Sequence, residues 1–103
     1  MSKKQVELDI LRKIHQEPEI NQRQLARNLG FSVGKLNYCL RSLKDKGLVK
    51  INNFKKNPKK LNYLYFLTPK GISEKTKLTI LFMKRKMHEY DELKKELEEK
   101  NKK

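Results

Sequence analysis

Apolar residues recur along this chain at two periods, and the change from one to the other marks out its elements. Between residues 4 and 17, Val6, Ile10, Leu11 and Ile14 fall at helical spacing, and Pro18 closes the run, because the residue before a proline avoids the helical region. A shorter helix is expected from Asn21 to Leu29, ending at Gly30. Ser32 to Lys46 is a third. Stepping about 100° per residue puts Val33, Leu36, Leu40 and Leu43 in one narrow stripe, with Gly34, Tyr38 and Arg41 roughly opposite. Only Phe31 separates Gly30 from the next start at Ser32. Two helices joined this tightly form a helix-turn-helix, whose second helix buries one face and leaves the other free to read a surface. The first helix should brace that pair.

The capping residues repeat the same division. Asn21 has Gln24 at the third helical position and Ile20 facing Leu25, a capping box with a hydrophobic staple. Ser32 has Phe31 and Leu36 in the staple positions, although Lys35 breaks the box. Thr68 precedes Pro69, which suits a first helical position, with Leu67 and Ile72 as the staple. Gly47 is the expected left-handed residue after the third helix, preceded by Lys44 and Lys46, whose charges complement the helix dipole.

Beyond Gly47 the pattern turns β-like. Leu48 to Ile51 is one short run and Leu61 to Leu67 a second, rich in Tyr63, Tyr65 and Phe66. Between them Asn52 to Lys60 reads as a loop, with Asn53, Asn57 and Pro58 as turn formers and Lys55, Lys56, Lys59 and Lys60 as its charge. Such a loop after a helix-turn-helix is a wing, the alternative being a solvated hairpin tip. Four lysines with no carboxylate nearby would repel one another unless an anion is present. From Pro69 to about Glu99 a single helix is expected. Ile72, Leu78, Ile80, Leu81, Phe82 and Met83 lie on several of its sides, so more than one partner must cover them. Further on a seam emerges: Ile80, Met83, Met87, Tyr90 and Leu97 recur at spacings of 3, 4 and 7, with Lys94 in the missing slot. This is a short coiled-coil stripe for dimerisation, unless the helix folds back on its own core. The fold class is therefore α+β, mainly α: a winged helix-turn-helix over residues 1–68, then a long C-terminal helix over residues 69–103.

Charge changes the picture from architecture to partner. The chain has 103 residues and a net charge of +14, which calls for a polyanion. Residues 1–20 balance, whereas residues 21–68 carry eleven basic side chains and one acidic. The excess lies on the helix-turn-helix and the segment after it, where nucleic acid would sit. A single cysteine, Cys39, excludes an intrachain disulfide, and with no secretory signal or long apolar run a cytoplasmic protein with no membrane association is expected. Cys39 lies at the edge of the apolar stripe and reads as a small core residue rather than a redox sensor. Two histidines, His15 and His88, are too few for a metal site. No Gly-rich phosphate loop, nucleophile elbow or metal-ligand spacing occurs, so neither an enzyme nor a cofactor is expected.

Two stretches carry a resemblance. Leu43 to Val49, LKDKGLV, and Leu67 to Gly71, LTPKG, resemble the recognition-helix end and the strand-to-helix junction of the MarR family of bacterial transcriptional regulators. The short length and basic C-terminal helix look most like the compact subgroup of EPS-associated MarR regulators. The resemblance implies base-reading positions at Gly34, Lys35, Asn37, Tyr38 and Arg41, beside Ser32, and backbone or wing contacts at Arg23, Lys55, Lys56, Lys59 and Lys60. Where the family's wing has Asp-x-Arg, this chain has Asn57, Pro58 and Lys59. The larger members build a ligand pocket between dimerisation helices and DNA-binding lobe, for which this chain is short, so no small-molecule ligand is expected.

These features together imply a homodimeric, sequence-specific regulator that binds double-stranded DNA at an inverted repeat. On this division of the chain, a cut after Lys77 should remove the dimer and most specific affinity. Two rivals stay open: a sequence-tolerant architectural or RNA-associated protein, and a coiled-coil adaptor whose winged helix binds protein.

Overall fold

A computed structural model of the chain describes residues 2–53 and 63–101. In chain order the elements are α1 (Lys3–Gln16), α2 (Gln22–Leu29), α3 (Val33–Asp45), β1 (Val49–Asn53), β2 (Tyr63–Leu67) and α4 (Pro69–Asn101). Each helix begins on a side chain that accepts from an otherwise unpartnered backbone N–H. Asn21 Oδ1 accepts from Gln24 N at 2.8 Å, Ser32 Oγ from Lys35 N at 3.1 Å and Thr68 Oγ1 from Gly71 N at 3.0 Å. Ser2 does the same for Gln5 N at 3.1 Å, a fourth cap beyond the three read from the sequence. At the end of α2, Gly30 takes the left-handed conformation (φ 70°, ψ 28°) and Phe31 N–H donates to Ala26 O at 2.9 Å. That geometry is costly for any residue with a Cβ, and it lets α3 begin within three residues.

The core forms around α1. Val6, Ile10, Leu11 and Ile14 are buried as their spacing requires, and so is Leu8 on the other side of the helix. α1 packs against α2, β2 and α4, so it is enclosed on more than one side. Ile20, Leu25, Ala26, Leu36, Leu40, Leu43, Leu48, Val49, Tyr65 and Leu78 complete the cluster, with Cys39 partly buried against it. Val33 departs from the expected stripe and is 52% exposed. As the first residue of α3 its side chain tilts back past the end of the helix, away from the core that Leu36 reaches.

β1 and β2 pair antiparallel, with Val49 opposite Leu67, Ile51 opposite Tyr65, and Asn52 and Asn53 opposite Leu64 and Tyr63. The two asparagines, expected in the loop, thus belong to the strand. Backbone partners on β2 outweigh the weak strand preference of asparagine, a tertiary contribution that propensity does not contain.

The LKDKGLV and LTPKG stretches meet each other. Thr68 N donates to Leu48 O at 3.1 Å, Thr68 Oγ1 donates to Gly47 O at 2.6 Å, and Lys70 Nζ donates to Lys46 O at 2.9 Å. Gly71 lies so close that a Cβ there would sit 2.0 Å from Leu48 O. The end of α3 is thereby clamped to the start of α4, and Lys46 also forms an ion pair with Glu7 of α1.

α4 is anchored by its first half only. Leu78 is buried, Leu81 and Phe82 pack partly against the core, and Lys75 Nζ lies 2.9 Å from His15 Nδ1 of α1. From Met83 to Asn101 every residue is exposed, and the helix projects from a molecule measuring 69 × 26 × 20 Å. It does not fold back on the core. A cut after Lys77 would therefore remove Leu78, Leu81 and Phe82 from the core itself, so the dispensable part of α4 begins later than expected.

Candidate nucleic-acid interface

α3 divides its side chains as an amphipathic helix must. Leu36, Leu40 and Leu43 are fully buried, while Gly34, Asn37, Tyr38 and Arg41 form one exposed face. Tyr38 is 76% exposed, an extent that a core role cannot explain for so large a ring. Lys35 lies at the edge of this face, its Nζ 4.2 Å from the centre of the Phe31 ring, a cation–π contact that holds the ammonium over the turn. Ser32 spends one lone pair on the cap, which leaves its hydroxyl hydrogen free to donate.

Beside the exposed face runs a groove of about 260 Å³ lined by Gln22, Asn37, Leu40, Arg41, Lys44, Ile51 and Tyr65. Tyr65 OH reaches Gln22 Oε1 at 3.4 Å, tying the start of α2 to the sheet. Arg41 and Lys44, one turn apart on α3, put two cations along this groove. Among the described residues, Arg23, Arg27, Arg41, Lys44 and Lys50 are exposed and none forms an ion pair with a carboxylate. Lys46 and Lys70 are occupied, by Glu7 and by the Lys46 carbonyl. These five cations lie on α2, α3 and β1, and Arg41 and Lys44 among them line the groove.

Residues 4–50 match the winged helix-turn-helix DNA-binding family. No curated protein matches the chain. Among solved structures, Staphylococcus aureus MarR in complex with salicylate and kanamycin is similar at a TM-score of 0.71 and 17% identity, covering 84% of this chain and 57% of that one. The S. aureus MepR–DNA complex is similar at 0.67 and 20%, covering 81% and 59%. Lactococcus lactis ZitR, a zinc-responsive MarR family member, is similar at 0.66 and 20%, covering 90% and 60%. The fold is a winged helix-turn-helix, shared with these MarR-family structures. The chain spans somewhat over half the length of these structures, and at such identities the likeness is one of fold.

Within the winged helix-turn-helix, α2 and α3 are the paired helices and β1–β2 the base of the wing. Of the residues singled out from sequence, Gly34, Asn37, Tyr38 and Arg41 come together on α3. Ser32 and Lys35 flank them at the turn, and Arg23 is exposed in the first turn of α2. Lys55, Lys56, Lys59 and Lys60 lie outside the described residues. Ile80, Met83, Met87, Tyr90 and Leu97 all line exposed α4, far from α3 in the chain and on a separate element. Sequence reasoning missed Gln22, Lys44 and Tyr65 at the groove. Tyr65 was legible only as a strand aromatic, because its meeting with Gln22 spans 43 positions of sequence. Among the described residues, no group of three His, Cys, Asp or Glu could hold a metal ion, and no helix is long and apolar enough to cross a membrane.

Proposed function

We propose that this chain is a sequence-specific DNA-binding transcriptional regulator of the MarR type, working in the bacterial cytoplasm as a homodimer on an inverted repeat. The observation that carries the reading is the exposed Gly34, Asn37, Tyr38 and Arg41 face of α3, flanked by cations with no carboxylate partner. Asparagine and arginine offer bidentate hydrogen bonds to adenine and guanine edges in the major groove, which a face that merely held phosphates would not need. Gly34 supports it too. Alanine would suit an exposed position in the first turn of a helix better, and a missing side chain there allows close backbone approach to a ligand.

In this reading Gly34, Lys35, Asn37, Tyr38 and Arg41 form the base-reading face with Ser32 beside them, while Arg23 holds phosphate, joined by Lys55, Lys56, Lys59 and Lys60 of the wing. Residues 1–68 form the DNA-binding domain and residues 69–103 the dimerisation helix. A two-fold dimer presents two recognition helices to successive major grooves, so the site has half-sites about 10 base pairs apart. The test begins with selection of a preferred site from genomic fragments and footprinting, where symmetric protection is expected. Arg41→Ala is then titrated against the selected site and a scrambled duplex. It should cost about 1 to 3 kcal/mol on the selected site and far less on the scrambled one. Equal loss on both would favour a sequence-tolerant protein, and protection of one asymmetric site by a single subunit would remove the inverted repeat.

A further inference from the structure

We propose that, in the homodimer inferred above, two copies of α4 pair antiparallel, with Met87 against the partner's Tyr90. From Met83 onward the helix has no cover, and Ile80, Met83, Met87, Tyr90, Leu93 and Leu97 are 45 to 65% exposed along one stripe. A contiguous apolar stripe on a projecting helix is an interaction surface, and its own charge pattern says what covers it. Residues 69–86 carry six basic side chains and only Glu74 as an acid, whereas residues 87–101 carry six acidic side chains against Lys94, Lys95 and Lys100. A second copy running parallel would set like charge beside like. Running antiparallel, it sets the basic half of each helix beside the acidic half of the other.

The residue pattern makes the same choice. The 3 and 4 spacing alternates two kinds of core position, Ile80, Met87 and Lys94 in one and Met83, Tyr90 and Leu97 in the other. Parallel helices pair like positions, which would set Lys94 against the partner's Lys94 inside the seam, two desolvated charges of one sign. Antiparallel helices pair the two kinds. Ile80 then faces the partner's Leu97, Met87 faces the partner's Tyr90, and Lys94 lies along the partner's Met83 with its ammonium free to reach water. On the flank, Lys84 comes beside the partner's Asp91 and Lys77 beside the partner's Glu98, each twice by symmetry. The parallel arrangement offers only Lys86 beside the partner's Asp91. The two-fold axis falls between residues 88 and 89, so at about 1.5 Å per residue the buried anchors at Leu78 lie roughly 32 Å apart. One turn of duplex separates half-sites by about 34 to 36 Å.

The test is cross-linking in the full chain with Cys39→Ala, using Ile80→Cys and Leu97→Cys at exposed positions. The antiparallel pair predicts that a mixture of the two variants forms a covalent heterodimer on oxidation or with a short bismaleimide, and that neither variant cross-links alone. Leu97→Cys cross-linking by itself would establish parallel helices and overturn the proposal. So would failure of every combination while sedimentation still shows a dimer. A chain that sediments as a monomer at micromolar concentration would instead bring down the homodimer reading itself. Independently, Lys84→Glu should weaken the dimer roughly three- to tenfold at low salt, and adding Asp91→Lys to the same chain should restore it. No restoration would count against the antiparallel register.

Discussion

Gly34 and Gly71 ask opposite things of an added methyl group. At Gly34 an added Cβ meets nothing within 4 Å, so Gly34→Ala should stabilise the fold by about 0.5 to 1 kcal/mol, which is a rise of several degrees in Tm for a domain of this size. If the exposed face of α3 approaches DNA closely, the same substitution should weaken binding, a trade that calorimetry and titration of one variant would reveal together. At Gly71 a Cβ would fall 2.0 Å from the Leu48 carbonyl, and two backbones must separate to admit it. Gly71→Ala should cost at least about 3 kcal/mol, read as a fall in the denaturation midpoint or as loss of soluble protein. Both glycines stand plainly in the sequence, and LTPKG marks Gly71 as part of a motif. Its reason, an oxygen 23 positions earlier, depends on contact that no local pattern expresses.

Among the elements, the helices follow from caps and periodicity while their lengths and surroundings do not. Asn21, Ser32 and Thr68 begin helices as anticipated, and Gly30 and Gly47 end them. The sheet was less legible, because β1 takes Asn52 and Asn53 only through the partners that β2 supplies. Thr68 links the two kinds of element, accepting from Gly71 N and donating to Gly47 O. Thr68→Val keeps the volume but loses both bonds, and should cost about 1 to 3 kcal/mol of stability with no direct effect on a DNA-reading face. Chemical denaturation checks it. For the wing, replacing Lys55, Lys56, Lys59 and Lys60 by glutamine should weaken selected and scrambled duplexes alike. It should flatten the logarithmic salt dependence by about 0.9 for each phosphate no longer neutralised, a signature distinct from that of Arg41→Ala.

The molecule as a body is a small lobe with a helix standing out of it, and that shape decides where the chain can be cut. Leu78, Leu81 and Phe82 belong to the lobe, so removing residues after Arg85 should leave its unfolding midpoint nearly unchanged. A dimer held by the exposed stripe would lose Met87, Tyr90, Leu93 and Leu97 of it, and with them about 10²- to 10⁴-fold in affinity for a two-half-site duplex. Sedimentation and titration on one truncated chain measure both effects, and a truncated chain that remains dimeric would move the interface elsewhere. Removing residues after Lys77 should instead unfold the lobe, since losing one buried leucine side chain alone costs about 2 to 5 kcal/mol. Caps, periodicity and ionisable side chains are local properties, so the residues alone were enough for the number and order of the helices, the outward face of α3 and the charge around it. Folding in three dimensions was needed to bury Leu8 and expose Val33, to bring Tyr65 to Gln22, to deny Gly71 a side chain, and to turn α4 from core to free helix at Phe82. Each of these depends on which distant surface arrives opposite a residue, and that is settled by packing rather than by spacing along the chain.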